Sequence, residues 1–270
     1  MTPDPNLIGD ILREAAATEI MPRFHSILAE RKADGSLVTE ADFATQARIV
    51  EAIARAFPST PLLGEEMTPE DQHRLLAEAD TGVWILDPLD GTGNYASGFP
   101  GFSISLAFFE RGQAMLGVIY DPVRDECFSA VRGGGATLNG ESIRPFAPGP
   151  NLGDCLAMID MKRLPPERIP ALFRPGGFRS QRNLGSVALD WCWLAAGRYQ
   201  LYLHGGQKLW DYAAGHLIAS EAGAASRLYA DRGAAEATDL SLTPRLAIAA
   251  ADDTLLQRWL DFVGLPMRSA

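Results

Sequence analysis

The stretch Val83-Trp-Ile-Leu-Asp-Pro-Leu-Asp-Gly-Thr-Gly-Asn-Tyr95 constrains this chain more than any other. Val83 to Leu86 is a continuous apolar run, which reads as a buried strand. The run stops at Asp87-Pro88, because proline has no N–H for a ladder and restricts the residue before it. Asp87 and Asp90 therefore stand at a strand's end with a turn between them. Gly91-Thr92-Gly93-Asn94 follows, a flexible polar segment whose amides can turn inward on an anion. Hard-cation ligands and anion-binding amides thus adjoin, which suits a phosphate held against magnesium.

Taken alone, the same residues also read as an Asp-Pro turn followed by a Gly-Asn loop. Two phosphate chemistries are set aside by spacing. A haloacid-dehalogenase type of phosphatase needs D-x-D, whereas Asp87 and Asp90 are spaced D-x-x-D, better for clamping metals than for attack and relay. The chain also lacks G-x-x-x-x-G-K-[ST], which argues against a P-loop nucleotide hydrolase.

Its 270 residues suffice for one large domain or two closely packed ones, and 47% apolar content supports a full core. The formal charge of −10 argues against a general nucleic-acid binder but allows phosphate substrates, since metals supply positive charge locally. Cys127, Cys155 and Cys192 are odd in number and widely spaced, the pattern of buried free thiols in a reducing compartment. The first residues lack a signal peptide's basic start and apolar core, and no apolar run approaches the ~20 residues that span a bilayer. The expectation is a soluble, cytoplasmic protein without membrane contact.

In chain order, apolar residues from Leu7 to Leu28 recur at helical spacing with an interruption near Pro22. Lys32 to Ser36 is a polar turn. Thr39 is placed to cap a helix running to Phe57, with Asp42 at N3 as an acidic variant of the capping box. Pro61-Leu62-Leu63 is a short strand ending at Gly64-Glu65-Glu66, and residues 68–79 form a surface helix. Ser103–Phe109, Ala114–Tyr120 and Glu126–Arg132 are strands joined closely enough to pair antiparallel. Gly133-Gly134-Gly135 reads as a turn, because Leu138 stands where a G-x-G-x-x-G would need glycine.

The Pro/Gly-rich stretch 145–152 divides an N-terminal half, residues 1–145, from a C-terminal half, residues 146–270, within one compact unit. The second half alternates strands at 155–159, 178–180, 199–204 and 246–250 with helices around 166–173, 187–196, 211–221 and 254–263. Asp211 is ordinarily an N-cap in such a setting. The small residues Ala213, Ala214 and Gly215 after it let that helix approach another element closely. Were that element the Asp87/Asp90 strand end, Asp211 would complete a metal site.

Together these stretches resemble the inositol monophosphatase family of metal-dependent, lithium-sensitive phosphatases. Trp84-Ile-Leu-Asp-Pro-Leu-Asp-Gly-Thr92 is similar to its W-x-x-D-P-[IL]-D-G-T motif, and Trp210-Asp-Tyr-Ala-Ala-Gly-His-Leu-Ile218 to its W-D-x-A-A-G-x-x-I motif. Gly64-Glu65-Glu66 matches G-E-E, and Leu37-Val-Thr-Glu-Ala-Asp42 matches L-V-T-x-x-D. Gly117 to Pro122 and Gly135 to Gly140 also look like family segments, and the match runs in order from about residue 32 to 225.

The resemblance implies an α/β fold, an alternating αβαβα layered sandwich of the inositol monophosphatase and fructose-1,6-bisphosphatase type. It implies two or three Mg2+ ions held by Glu65, Asp87, the Leu89 carbonyl, Asp90 and Asp211, in a site that is loose when empty. It implies phosphate held by the Gly91 and Thr92 amides, and Asp42 orienting the Thr92 hydroxyl. Glu65 and Thr92 would direct water at phosphorus with no phosphoenzyme. Lys32 matches a lysine near the site in relatives, though a surface lysine in a turn is the plainer reading.

On the substrate side, Gly185, Ser186 and Val187 occupy the segment that touches substrate hydroxyls in relatives. Where inositol-binding relatives carry a carboxylate, this chain has His204, which argues against myo-inositol specificity or is simply a strand-end histidine. Arg182 is placed to pair with an acidic group of a substrate or a partner subunit. The expected activity is hydrolysis of a small alcohol phosphate: inositol 1-phosphate, histidinol phosphate, a sugar phosphate or a 3'-phosphonucleotide. The expected assembly is a homodimer. The alternative is a non-catalytic binding or regulatory protein that keeps the fold, for example in an RNA-processing assembly.

Overall fold

The computed structural model describes residues 2–24, 29–32, 37–77, 82–230 and 235–265. Helices α1 (Pro5–Ala15) and α2 (Glu40–Ala56) flank an antiparallel hairpin of β1 (Ala29–Arg31) and β2 (Leu37–Thr39). A seven-stranded sheet follows in simple chain order: β3 (Leu62–Gly64), β4 (Val83–Asp90), β5 (Ser103–Glu110), β6 (Gln113–Asp121), β7 (Glu126–Val131), β8 (Ala136–Leu138) and β9 (Glu141–Ser142). Only β3 and β4 are parallel, and the helix α3 (Pro69–Ala77) makes that crossover. The short helix α4 (Thr92–Ala96) follows β4 directly.

The second sheet has six strands: β10 (Leu156–Asp160), β11 (Ser180–Arg182), β12 (Leu201–Gln207), β13 (Ala225–Ala230), β14 (Ala235–Glu236) and β15 (Arg245–Ala250). Their order is β11-β10-β12-β15-β13-β14, with β10 parallel to both of its neighbours and the other pairs antiparallel. Helices α5 (Val187–Ala195), α6 (Leu209–Ala222) and α7 (Asp253–Val263) complete the fold.

Strand alternation sets the layers. On β4 and β5, Trp84, Leu86, Ile104 and Leu106 point to one face and pack on Ile8, Leu12, Ile49 and Ile53 of α1 and α2. Ile85, Ala107 and Ile119 point the other way, onto Trp191, Ala214 and Leu217 of α5 and α6. Tyr202, Ala247 and Ala249 of the second sheet close over the same helices, while Leu201, Leu203 and Ile248 on its far face meet Leu255 and Trp259 of α7. The result is an αβαβα sandwich. Both faces of both sheets are covered, which explains why β4 is apolar without alternation until Asp87.

The small residues after Asp211 do bring α6 close. A side-chain carbon added at Gly117 of β6 would lie 2.7 Å from the Ala214 carbonyl oxygen, so the helix rests on bare backbone. The glycine turn at 133–135 is a turn, and its Gly133 and Gly135 amides donate to Glu221 of α6 at 2.9 and 3.1 Å.

Several expectations are corrected. The interruption expected near Pro22 is present but begins earlier: after Ala15 the helix widens into a π turn over Ala16–Ile20 and tightens to 3-10 over Met21–Arg23, because Pro22 cannot sustain the i→i−4 ladder. Residues 25–28, 33–36 and 78–79 of the expected elements lie outside the described residues. The expected helix at 166–173 is two 3-10 turns, Pro166–Arg168 and Pro170–Phe173, each with proline in its first turn. The strand expected at 178–180 lies at Ser180–Arg182, and β12 continues past His204 to Gln207. The two hairpin strands before α2 and the strand β13 lack strong alternation and were not expected. All three cysteines are free and buried. Among the described residues no helix is long and apolar enough to cross a membrane.

Candidate metal centre

Asp87 inherits the inward face of β4, two residues after Ile85, and so points at the α5/α6 layer. A register irregularity between Asp87 and Asp90 turns the strand end so that Asp90 points to the same side. From the facing helix comes Asp211, and one carboxylate oxygen from each of Asp87, Asp90 and Asp211 lies within 4.8 Å of the others. Asp87 and Asp90 are buried and Asp211 is half-buried.

Each carboxylate is oriented by backbone. The Leu89 amide donates to Asp87 Oδ1 at 3.0 Å. Asp211 is not the N-cap of α6; it sits at N3 and accepts from the amide of the cap residue Lys208 at 2.8 Å. Asp90 is held by the N-terminus of α5. The Val187 amide donates to its Oδ1 at 3.2 Å, and the Ala188 amide (2.8 Å) and the Ser186 hydroxyl donate to its Oδ2. Donors from a helix N-terminus stabilise a carboxylate, so this metal-side group of the first half is built with the second half's backbone.

Burial pushes the Asp87 carboxyl well above its ordinary range, with Glu65, Asp90 and Asp211 adding repulsion. Burial also raises Asp90, against which the Ser186, Ala188 and Val187 donors act. Asp211 is raised by burial and by Glu65 and Asp90, partly offset by Lys208. Convergent buried carboxylates of this kind disfavour their own charge and favour a divalent cation among them. All-oxygen donors at this spacing fit a hard ion such as Mg2+.

Around the cluster, the Glu65 amide donates to the Leu86 carbonyl at 3.1 Å, fixing the end of β3 beside β4. Lys32 Nζ reaches Glu66 at 2.5 Å and Glu65 at 3.4 Å, so its ammonium is turned to these two glutamates and not simply to solvent. Burial raises the Glu66 carboxyl to about 7, against the pull of Lys32. Asp42 is the N3 carboxylate of α2: Thr39 N and Oγ1 donate to its Oδ2 at 2.8 and 2.6 Å, and Thr92 Oγ1 lies 3.0 Å from its Oδ1. Thr92 Oγ1 is also 3.0 Å from the Leu89 carbonyl. Gly91 has φ +91°, and a side chain there would strike the Gly101 carbonyl at 2.8 Å. Glycine is therefore required to turn the chain from β4 into α4, whose first amides have no partner within the helix.

The residues expected on the substrate side have definite partners within the chain. Ser186 is 1% exposed and spends its hydroxyl on Asp90, and Val187 contributes its amide to the same carboxylate. Gly185, at φ +80°, packs beside Asn94, whose amide group ties α4 to the second half through the Leu184 carbonyl at 2.6 Å. His204 is buried beside Asp160. It is 1% exposed, with Nε2 3.1 Å from Asp160 Oδ2. Burial pushes the imidazole down, and although burial pulls Asp160 up, His204 and Arg163 hold it well below the carboxylate range. Arg182 lies exposed on the edge strand β11, bonded locally to Ser180 Oγ and the Gln181 carbonyl.

Sequence reasoning missed Ser186 as a support of Asp90, Asn94 as a clasp between halves, and Lys208. Lys208 carried one local signal, its place three residues before Asp211.

A model described as the inositol monophosphatase family matches residues 8–259. The chain belongs to the inositol monophosphatase family. It is 38% identical over 208 residues to the Nus factor SuhB of Haemophilus influenzae, covering 74% of this chain and 75% of that protein. It is 36% identical over 201 residues to inositol monophosphatase 1 of Solanum lycopersicum, covering 71% and 72%. Among solved structures, an IMPase/NADP phosphatase complexed with Mg2+ and phosphate superposes with a TM-score of 0.81 at 26% identity, covering 96% and 94%. The family and the acidic cluster together are consistent with a phosphatase-type active site.

If Ser186 orients Asp90, Ser186→Ala weakens Mg2+ binding by about 10-fold, the scale seen for groups behind a ligand, and costs about 1 kcal/mol through the lost helix cap. Ser186→Thr retains both. Calorimetric Mg2+ titration and urea unfolding of the two variants check this; equal Mg2+ affinity in Ser186→Ala would leave the amides as the whole support.

Proposed function

We propose that this chain carries a working magnesium-dependent phosphomonoesterase site within a protein whose physiological role is regulatory, of the Nus-factor type. The convergence of Asp87, Asp90 and Asp211 from two halves of the molecule supports the catalytic part. The regulatory part rests on the relatives from several bacteria that share the description Nus factor SuhB. They favour it over a dedicated metabolic phosphatase.

In this reading Glu65, Asp87, the Leu89 carbonyl, Asp90 and Asp211 hold magnesium. Magnesium, when bound, supplies Lewis-acid charge and makes a water nucleophilic near neutral pH. The chain's own residues do the positioning. Asp42 takes the hydrogen bond of the Thr92 hydroxyl, which leaves the Thr92 oxygen free to accept one from a water and aim it. The Gly91 and Thr92 amides, at the start of α4, receive phosphate oxygens. No side chain is phosphorylated.

The test is orthophosphate release from inositol 1-phosphate, histidinol phosphate, fructose 1,6-bisphosphate and a 3'-phosphonucleotide, with and without Mg2+. The expected result is slow release from several of these esters that vanishes on chelation. One ester turned over far faster than the rest would overturn the regulatory part. Absence of release from all four would overturn the catalytic part and leave a binding protein on the same fold.

A further inference from the structure

Two ammonium groups converge on one oxygen of Glu65. Lys32 Nζ lies 3.4 Å from Glu65 Oε1, and Lys208 Nζ lies 3.5 Å from the same atom. They arrive from opposite halves: Lys32 follows β1, and Lys208 is the residue immediately before α6. Lys208 is also anchored, since its amide donates to Asp211 and its ammonium sits 5.5 Å from the Trp210 ring centre. Its backbone amide thus holds Asp211 on one side of the cluster while its ammonium reaches Glu65 on the other. A carboxylate oxygen has about two lone-pair positions, and both ammonium groups lie within ion-pair reach of this one atom.

We propose that Lys208 is a resident counter-ion of the metal-free site, one that competes with the divalent cation for Glu65. The inference rests on the reading of Glu65 as a metal ligand. In the absence of metal, Lys208 neutralises Glu65 and ties the start of α6 to the end of β3. The site is therefore held together when empty, where carboxylate repulsion alone would leave it loose. For Glu65 to ligate, the ammonium has to withdraw, and the long flexible stem of lysine permits that. Lys208 thus trades metal affinity for a formed site at low metal.

The measurement is Mg2+ titration by calorimetry, with thermal unfolding at zero and saturating Mg2+, on the full chain and on Lys208→Met and Lys208→Arg. Methionine keeps an unbranched stem over Trp210 and removes only the charge. The expected Lys208→Met protein binds Mg2+ about 5-fold tighter, the scale of a solvent-screened charge contact. It melts below wild type without metal and level with wild type in saturating Mg2+. Lys208→Arg keeps the wild-type affinity and the wild-type metal-free melting point. A merely structural lysine would lower both melting points equally, and that result overturns the proposal, as does unchanged or weaker Mg2+ binding in Lys208→Met. Wild-type protein that takes up no Mg2+ overturns the metal reading and this proposal together, whereas wild-type uptake without a shift in Lys208→Met overturns this proposal alone.

Discussion

Asp90→Asn is expected to lower both Mg2+ affinity and orthophosphate release by more than about 100-fold, because a lost ligand exceeds the 10- to 100-fold cost of a lost supporting group. The substitution is nearly isosteric, so the loss reports charge and lone pairs rather than volume. Asparagine can offer one carbonyl oxygen but must turn an NH2 group toward donors. In the native protein Asp90 faces three of them, the Val187 and Ala188 amides and the Ser186 hydroxyl. At least one of these donors then meets another donor. Leaving such a buried group unpaired costs about 1–3 kcal/mol, which is a partial loss of stability and not unfolding. Urea unfolding together with calorimetric Mg2+ titration separates the two effects. A folded Asp90→Asn protein that binds Mg2+ and releases phosphate like wild type would remove Asp90 from the metal site.

A large effect on stability is expected at Gly117, far in sequence from any ligand. A β-carbon there would lie 2.7 Å from the Ala214 oxygen and 3.0 Å from its α-carbon, both backbone atoms of α6 that cannot rotate away. Gly117→Val therefore forces the helix off the sheet, at about 3 kcal/mol, the upper end of typical overpacking costs. That is a large share of the 5–15 kcal/mol that holds an ordinary domain together. The helix also carries Asp211, so Mg2+ binding weakens in the same variant. Gly206→Ala provides the contrast. Its β-carbon would meet nothing nearer than Pro244 at 3.9 Å, and a change within about 0.5 kcal/mol is expected. Urea midpoints for the two variants check the difference; a Gly117→Val midpoint at the wild-type value would show that α6 is free to move outward.

What the amino-acid sequence determined by itself is the set of carboxylates and the local frame of each. Asp87 and Asp90 follow an apolar run broken by Pro88, and Asp42 stands three residues after the helix cap Thr39, so short-range rules of strand ends and helix capping place them. The motifs around them carried the family, and with it the layered fold that the two sheets and their helices display. Proline and weak alternation hid the irregular parts, as in the 3-10 turns at 166–173 and the short strands of the first hairpin.

Only the tertiary structure decided which of these groups meet and what each side chain does there. Ser186 holds Asp90 from 96 residues away, Lys208 reaches Glu65 across 143, and His204 meets Asp160. None of these pairings leaves a periodic or capping trace in the chain. Each depends on how closely α5 and α6 settle between the two sheets, and that is fixed by the packing of many distant apolar side chains at once.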